Sequence, residues 1–339
     1  LSSFRYSLHI LAALTPYRYN PDWQIHQENS ASKSRQEKDP NMEIKYFNRG
    51  EDRVEVEKVY GQKAIKWLYD SSLGRLMASL LVRPWLSKLY GRFQDMRWSQ
   101  RKIAPFVEEY EIPMDEFVDE NYKSFNQFFI RKFKEGMRPF DERPTMMPAF
   151  CEARYFGHDQ IDDTTTIPVK GTYLRPRDLV ASEKWAPYFE GGPFLVARLC
   201  PVDYHCFHFP DSGRVLDSYR VSGILHSVNP LALEKRPDIF IVNERQVSIL
   251  ETEHFGKLAY IEVGAICVGK IHQTYAGPEF RRGGEKGHFL FGGSTVIVLG
   301  EKGKWSPTED ILENTKNSQE VYVKLGQELA RSIPDEKHL

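Results

Sequence analysis

The chain has 339 residues, with 46 basic and 47 acidic side chains and a formal net charge of -1. That length suits a sizeable core in one or two domains, and the balanced charge excludes a global pull toward nucleic acid. No apolar run reaches the ~18 residues of a membrane-spanning helix. The four cysteines, Cys151, Cys200, Cys206 and Cys267, lack paired spacing and read as reduced thiols of an intracellular protein. A zinc site from Cys200, Cys206 and nearby histidines would lack the usual paired knuckles, so no metal is expected.

Residues 1–43 are polar, and the stretch from Gln27 to Lys38 has the composition of a flexible segment. The apolar stretch Leu8–Leu14 is too short and too poorly flanked for a signal peptide. From about 53 to 112 the spacing predicts helices. Val54, Val56, Val59, Ile65, Leu68 and Tyr69 form one stripe, and Leu73 to Tyr90 forms a second segment with Pro84 inside it. Trp67, Trp85 and interspersed arginines give this region the character of a membrane-surface element. The aromatic and basic run Tyr122 to Phe133 reads as an amphipathic helix on the core, and Arg138-Pro139-Phe140 closes this half.

Past about 145 the texture changes to short apolar runs between Gly, Pro and Asp. Phe194–Leu199, Arg214–Val221, Asp238–Val242, Gln246–Leu250, Lys257–Ala265 and Ser294–Leu299 read as strands. Several alternate, as in Leu258-Ala259-Tyr260-Ile261-Glu262-Val263. No glycine-rich phosphate loop and no βαβ spacing occur, which excludes a nucleotide-binding design. The expected fold is α+β: a flexible segment (1–43), a helical and membrane-facing region (44–140) packed on a β-rich domain, and that antiparallel-sheet domain itself (141–339).

Two stretches carry chemistry. Glu285 to Leu299 (EKGHFLFGGSTVIVL) is a strand-like run broken by Gly292, Gly293 and Ser294. Pattern alone fits a structural bend with glycines supplying unusual backbone angles, or a strained turn in which Ser294 attacks its own backbone. Leu199 to Pro210 (LCPVDYHCFHFP) places His205 and His208 three apart near a strand end, as structural histidines or as a base beside a nucleophile.

Together with YKSFNQFFIR (122–131), Arg138-Pro139, Val169-Lys170-Gly171, Glu190-Gly191-Gly192, Ile261 to Lys270 and Asp310 to Thr315, these stretches resemble the phosphatidylserine decarboxylases over about residues 46–330. The glycine-glycine version of the cleavage motif looks like the type II branch. The resemblance implies a precursor in which the Ser294 hydroxyl attacks the Gly293 carbonyl. The chain is then cut between these two residues, and Ser294 becomes a pyruvoyl group that takes up the amine of phosphatidylserine. It implies His208 as the base for the serine, His205 as the proton donor after carbon dioxide leaves, and phosphatidylethanolamine as product. It further implies that a large and a small chain stay together through sheet pairing, in a homodimer at the cytoplasmic side of a membrane surface.

One string departs from the family. Its acid, expected in Pro-Ala-Asp-Gly to orient the base histidine, meets Phe150 and Cys151 here, after Pro148-Ala149. Glu152 is the nearest replacement, with Asp159, Asp162 and Asp163 as others. The competing outcome is slow or lost cleavage, in a non-catalytic lipid-binding relative. A third reading keeps the chemistry on another amino-acid head group.

Overall fold

The computed structural model describes residues 44–58, 71, 91–161, 175–236, 238–265, 271–290 and 294–334. The 1–43 segment, the helix stripes predicted through Ile65, Trp67, Leu68, Trp85 and Leu73–Tyr90, the Val169-Lys170-Gly171 string, Cys267, Gly292 and Gly293 lie outside these residues.

The fold is α+β, dominated by antiparallel sheet. Ten strands form one sheet: β1 (Lys45–Asn48), β2 (Arg53–Val56), β4 (Ala153–His158), β5 (Phe194–Leu199), β7 (Gly213–Val221), β8 (Arg245–Thr252), β9 (Lys257–Val263), β11 (Glu279–Phe280), β13 (Ser294–Gly300) and β15 (Glu320–Val323). Their order is β11-β7-β8-β9-β13-β5-β4-β15-β1-β2, with β1 and β15 the parallel neighbours. A three-stranded sheet, β10 (Ile271–Gln273), β12 (Glu285–Phe289) and β6 (Cys206–His208), has β12 in the middle. A second joins β14 (Trp305–Pro307), β16 (Glu328–Ser332) and β3 (Met146–Pro148).

β13 occupies the centre of the large sheet, and each of its seven residues is buried. It pairs with β5 on one side and β9 on the other. A strand buried on both faces is near-continuously apolar, and Val296–Leu299 is such a run. The three-stranded sheet covers one face of the large one. Phe207 of β6 packs on Tyr260 of β9 (ring centroids 6.2 Å apart), and the Tyr260 hydroxyl donates to the His208 carbonyl at 3.2 Å. Gly287 makes this fit possible: a Cβ there would stand 2.0 Å from the His272 carbonyl oxygen and 2.7 Å from the Phe207 ring.

The described helices are short: α1 (Ile103–Tyr110), α2 (Phe125–Phe129), α3 (Pro176–Val180), α4 (Pro230–Lys235), α5 (Ile239–Val242) and α6 (Glu309–Lys316). The Tyr122–Phe133 segment yields only α2, opened by Ser124, whose side chain accepts from the Gln127 amide. Phe125, Phe128 and Phe129 are buried in a cluster with Phe106, Phe117, Tyr204 and Cys206, so α1 and α2 dock on the β6 chain.

Two predictions fail locally. Val54 and Val56, read as helical, lie in β2, where Arg-Val-Glu-Val alternates against β1. Asp238–Val242, read as a strand, holds the single turn α5. A four-residue apolar run carries too little periodicity to separate the two states.

Candidate active site

The candidate site lies where the chain passes from β5 of the large sheet to β6 of the three-stranded sheet. β5 ends at Leu199, which pairs with Ser294 at the start of β13. Beyond Leu199 the chain turns tightly, the Asp203 amide donating to the Cys200 carbonyl at 2.9 Å, and enters β6. On the partner segment, the Phe289 amide at the end of β12 donates to the His205 carbonyl at 2.9 Å. Residues 200–204 therefore run from a point beside Ser294 to a point beside Phe289, with His205 at that second end.

Ser294 is fully buried, and its hydroxyl oxygen has no hydrogen-bond partner. Such burial is costly for a polar group. Its face of the sheet follows from register. Val296 opposes Glu262 on β9 and Ala197 on β5, so Ser294, Val296 and Glu262 point to the same side, toward the three-stranded sheet.

His205 is fully buried, and its ring packs 3.9 Å from that of Phe129. Its Nδ1 meets the Asp203 carbonyl at 2.9 Å. A carbonyl only accepts, so the proton sits on Nδ1. The turn behind His205 is braced twice. The Asp203 carboxylate accepts from the Cys200 amide (2.6 Å) and Arg154 (2.7 Å). Burial pushes that carboxyl up to about 6, against the opposing charge of Arg154. Arg131 donates from Nη2 to the carbonyls of Val202 (2.8 Å) and Asp203 (3.3 Å), with its guanidinium between the Phe117 and Phe128 rings.

His208 takes the other face of β6. Phe207 points at the large sheet, while the His208 ring lies near Phe140 and Tyr204. Its Nδ1 donates to the Gly283 carbonyl at 2.9 Å, and the Tyr204 hydroxyl approaches Nε2 at 3.4 Å. Burial lowers its pKa from 6.5 to about 4, against the upward pulls of the Gly283 carbonyl and Glu285, so it is neutral at pH 7. Neither histidine hydrogen-bonds Ser294.

The expected acid behind His208 is not Glu152 in this arrangement. Arg138 holds Glu152 at 2.5 and 3.0 Å, and the Tyr322 hydroxyl and Leu325 amide complete its shell. The Gly283 carbonyl orients the imidazole instead. The Phe150 carbonyl accepts from the His208 amide at 2.8 Å, so the Pro-Ala-Phe-Cys string supports that segment through its backbone.

A buried charged pair on the same face of the large sheet as Ser294 was not singled out from sequence. Lys286 of β12 is fully buried and donates to Glu262 (2.5 Å), Gln273 (2.7 Å) and Ser248 (2.9 Å). Glu262 is equally buried, and its second oxygen, Oε2, has no hydrogen bond. The sequence signal is a charge on the inward-facing phase of the alternating 258–263 run. Among the described residues, no group of three or more His, Cys, Asp or Glu side chains could hold a metal ion, and Cys200 and Cys206 are buried free thiols.

The phosphatidylserine decarboxylase family model matches residues 125–331. A phosphatidylserine decarboxylase proenzyme of Clostridium novyi is 40% identical over 296 residues, covering 86% of this chain and 100% of that protein. Proteins of the same name from Clostridium tetani (38% over 293 residues, 86% and 99% covered) and Clostridium perfringens (40% over 290 residues, 84% and 98% covered) are similar to the same extent. With the Gly-Ser junction leading into the central strand and the paired histidines on the neighbouring segment, the chain belongs to the phosphatidylserine decarboxylase family of carbon–carbon lyases.

Proposed function

We propose that the chain is a self-processing, pyruvoyl-dependent decarboxylase that converts phosphatidylserine to phosphatidylethanolamine and carbon dioxide. The observation that carries this reading is the Ser294 hydroxyl: fully buried, first in the central strand and without a hydrogen-bond partner. An unsatisfied buried hydroxyl costs about 1–3 kcal/mol, and a group consumed during maturation escapes that cost. The similar proteins are named proenzymes, which supports a precursor.

In this reading Ser294 attacks the Gly293 carbonyl, the chain is cut between them, and Ser294 supplies the pyruvoyl group. That group provides an electron sink for loss of carbon dioxide from an amino-acid head group. His205, at the end of the segment that starts from Leu199 beside Ser294, returns a proton to the substrate carbon. His208, neutral at pH 7, serves as a base in processing and must reach Ser294 from the outer face of β6.

Substrate arrives from a lipid surface. Among the described residues no helix is long and apolar enough to cross a membrane. Phe93, Met96 and Trp98 are 43%, 47% and 46% exposed, beside the exposed Arg92, Arg97 and Arg101. This mixture suits an anionic bilayer surface.

The test is a denaturing gel with mass analysis. Purified protein runs as a large fragment ending at Gly293 and a small one from Ser294 that carries the pyruvoyl carbonyl. Ser294→Ala stays whole and decarboxylates nothing. A single 39.5 kDa band from the unaltered chain, without that carbonyl, would instead mark a non-catalytic lipid-binding relative.

A further inference from the structure

The strand that leads to the Gly293–Ser294 junction carries an irregularity. Against β10, β12 runs in unbroken register, from Phe289 opposite Ile271 to Gly287 opposite Gln273. Against β6 the register breaks. Glu285 opposes His208 and Gly287 opposes Phe207, which leaves Lys286 as an extra residue, a bulge. A bulge bends its strand and re-aims a side chain. Here that side chain is a lysine, fully buried between two sheets.

Each of the three ammonium protons has an acceptor: Glu262 of β9 (2.5 Å), Gln273 of β10 (2.7 Å) and Ser248 of β8 (2.9 Å). The Tyr260 and Tyr275 rings lie 5.0 and 5.4 Å from it. One side chain thus ties the middle strand of the small sheet to β10 and to two strands of the large sheet. A buried ion pair adds little net stability, and its best attested use is to fix register.

We propose that the Lys286–Glu262 pair is a register lock: it fixes which residue of β12 forms the bulge, and so sets how the chain approaches Ser294. The inference rests on the self-processing reading. Sliding β12 by one residue would bring Glu285 or Gly287 to the bulge. Glu285 would set a second carboxylate against Glu262. Gly287 would leave Glu262 buried without a cation. Both are unfavourable.

The consequence falls at the other end of the strand. The Phe289 amide is anchored on the His205 carbonyl, and Ser294 is anchored opposite Leu199. Four residues, 290–293, separate these anchors in the sequence. A slip of one residue moves a strand by about 3.3 Å and lengthens or shortens that link by one residue. Attack on a carbonyl needs the reacting atoms about 3–3.5 Å apart, and a displacement of about 1 Å can slow it about 100-fold. Correct register of β12 is therefore a condition of processing, and Lys286 and Glu262 are positioning residues.

The test uses the full chain carrying Lys286→Met with Glu262→Gln, which removes both charges and leaves neither unpaired. Three readouts are taken: the thermal midpoint, the rate at which the small fragment appears, and amide exchange. Exchange is compared in uncut chains, with Ser294→Ala added to both. The midpoint should stay close to that of the unaltered chain, while cleavage slows about 100-fold. Exchange should quicken at residues 285–289, the Phe289 amide included, and not across β9 and β13. Cleavage at the unaltered rate would leave register to Gly287 and overturn the proposal. A lower midpoint with faster exchange across the whole large sheet would overturn it too, by showing a general structural role. If the paired substitution prevents folding, Glu262→Gln alone keeps an acceptor for Lys286 and is read in the same way: slower cleavage with local exchange supports the lock, and unaltered values overturn it. An unaltered chain that never cuts, or Ser294→Ala that still cuts, defeats self-processing itself. Normal cutting in both the unaltered chain and these variants defeats only the lock.

Discussion

His208 shows how burial sets the chemistry of one residue. Its imidazole gains a proton near pH 4 in the fold and near 6.5 when unfolded. Between those values the unfolded chain binds more protons, so stability is complete above pH 6.5 and falls as the pH drops toward 4. At pH 5 the loss from this group alone is about 2 kcal/mol. Urea midpoints at pH 7 and pH 5 check this: His208→Gln loses less stability across the interval than the unaltered chain. Equal losses would place the titration elsewhere. At this scale the sequence reveals residue types but not directions. His205 and His208 stood out through their spacing and neighbours, yet the face each occupies depends on strand phase. Glu152 looked suitable because it is close in sequence. Arg138, fourteen positions away, claims it through geometry invisible to spacing.

Short elements position the site through a few specific contacts. Arg131 follows α2 and reaches the turn that presents His205, so helix and histidine are linked by one guanidinium. Burial lowers its pKa from 12.5 to about 10. Arg131→Met should remove charge-assisted bonds worth about 1.5–3 kcal/mol and speed amide exchange across residues 202–205. Arg131→Lys restores little, because an ammonium cannot lie flat between the Phe117 and Phe128 rings. Unchanged exchange in both variants would free the turn from this brace. Gly287→Ala tests the joint between sheets. Its Cβ has no room against the His272 carbonyl, so the variant should lose thermal stability and, with β12 displaced, cleavage. Strands with strong alternation or long apolar runs were readable from sequence, as in β9 and β13. The four-residue elements α5 and β2 were not, since they take their form from what they pack against.

At the scale of the molecule, the segment after Ser294 is woven through the fold. It supplies β13 to the centre of the large sheet, β15 between β4 and β1, and β14 and β16 to a third sheet. Cutting before Ser294 would leave all these pairings intact. The two fragments should therefore co-elute in native size exclusion and part only in denaturant; separation in native buffer would refute the pairing. Sequence exposed the β-rich class but not this strand order, because pairing between distant segments leaves no local periodicity.

The central place of β13 also orders events in time. Its neighbours β5 and β9 are both synthesised first and must leave a gap for a strand that emerges later. Until that strand enters, Ser294 is neither paired with Leu199 of β5 nor held alongside β9. The proposed cut is thus withheld from nascent and half-folded chains, and the fold itself acts as the clock that starts the enzyme's maturation.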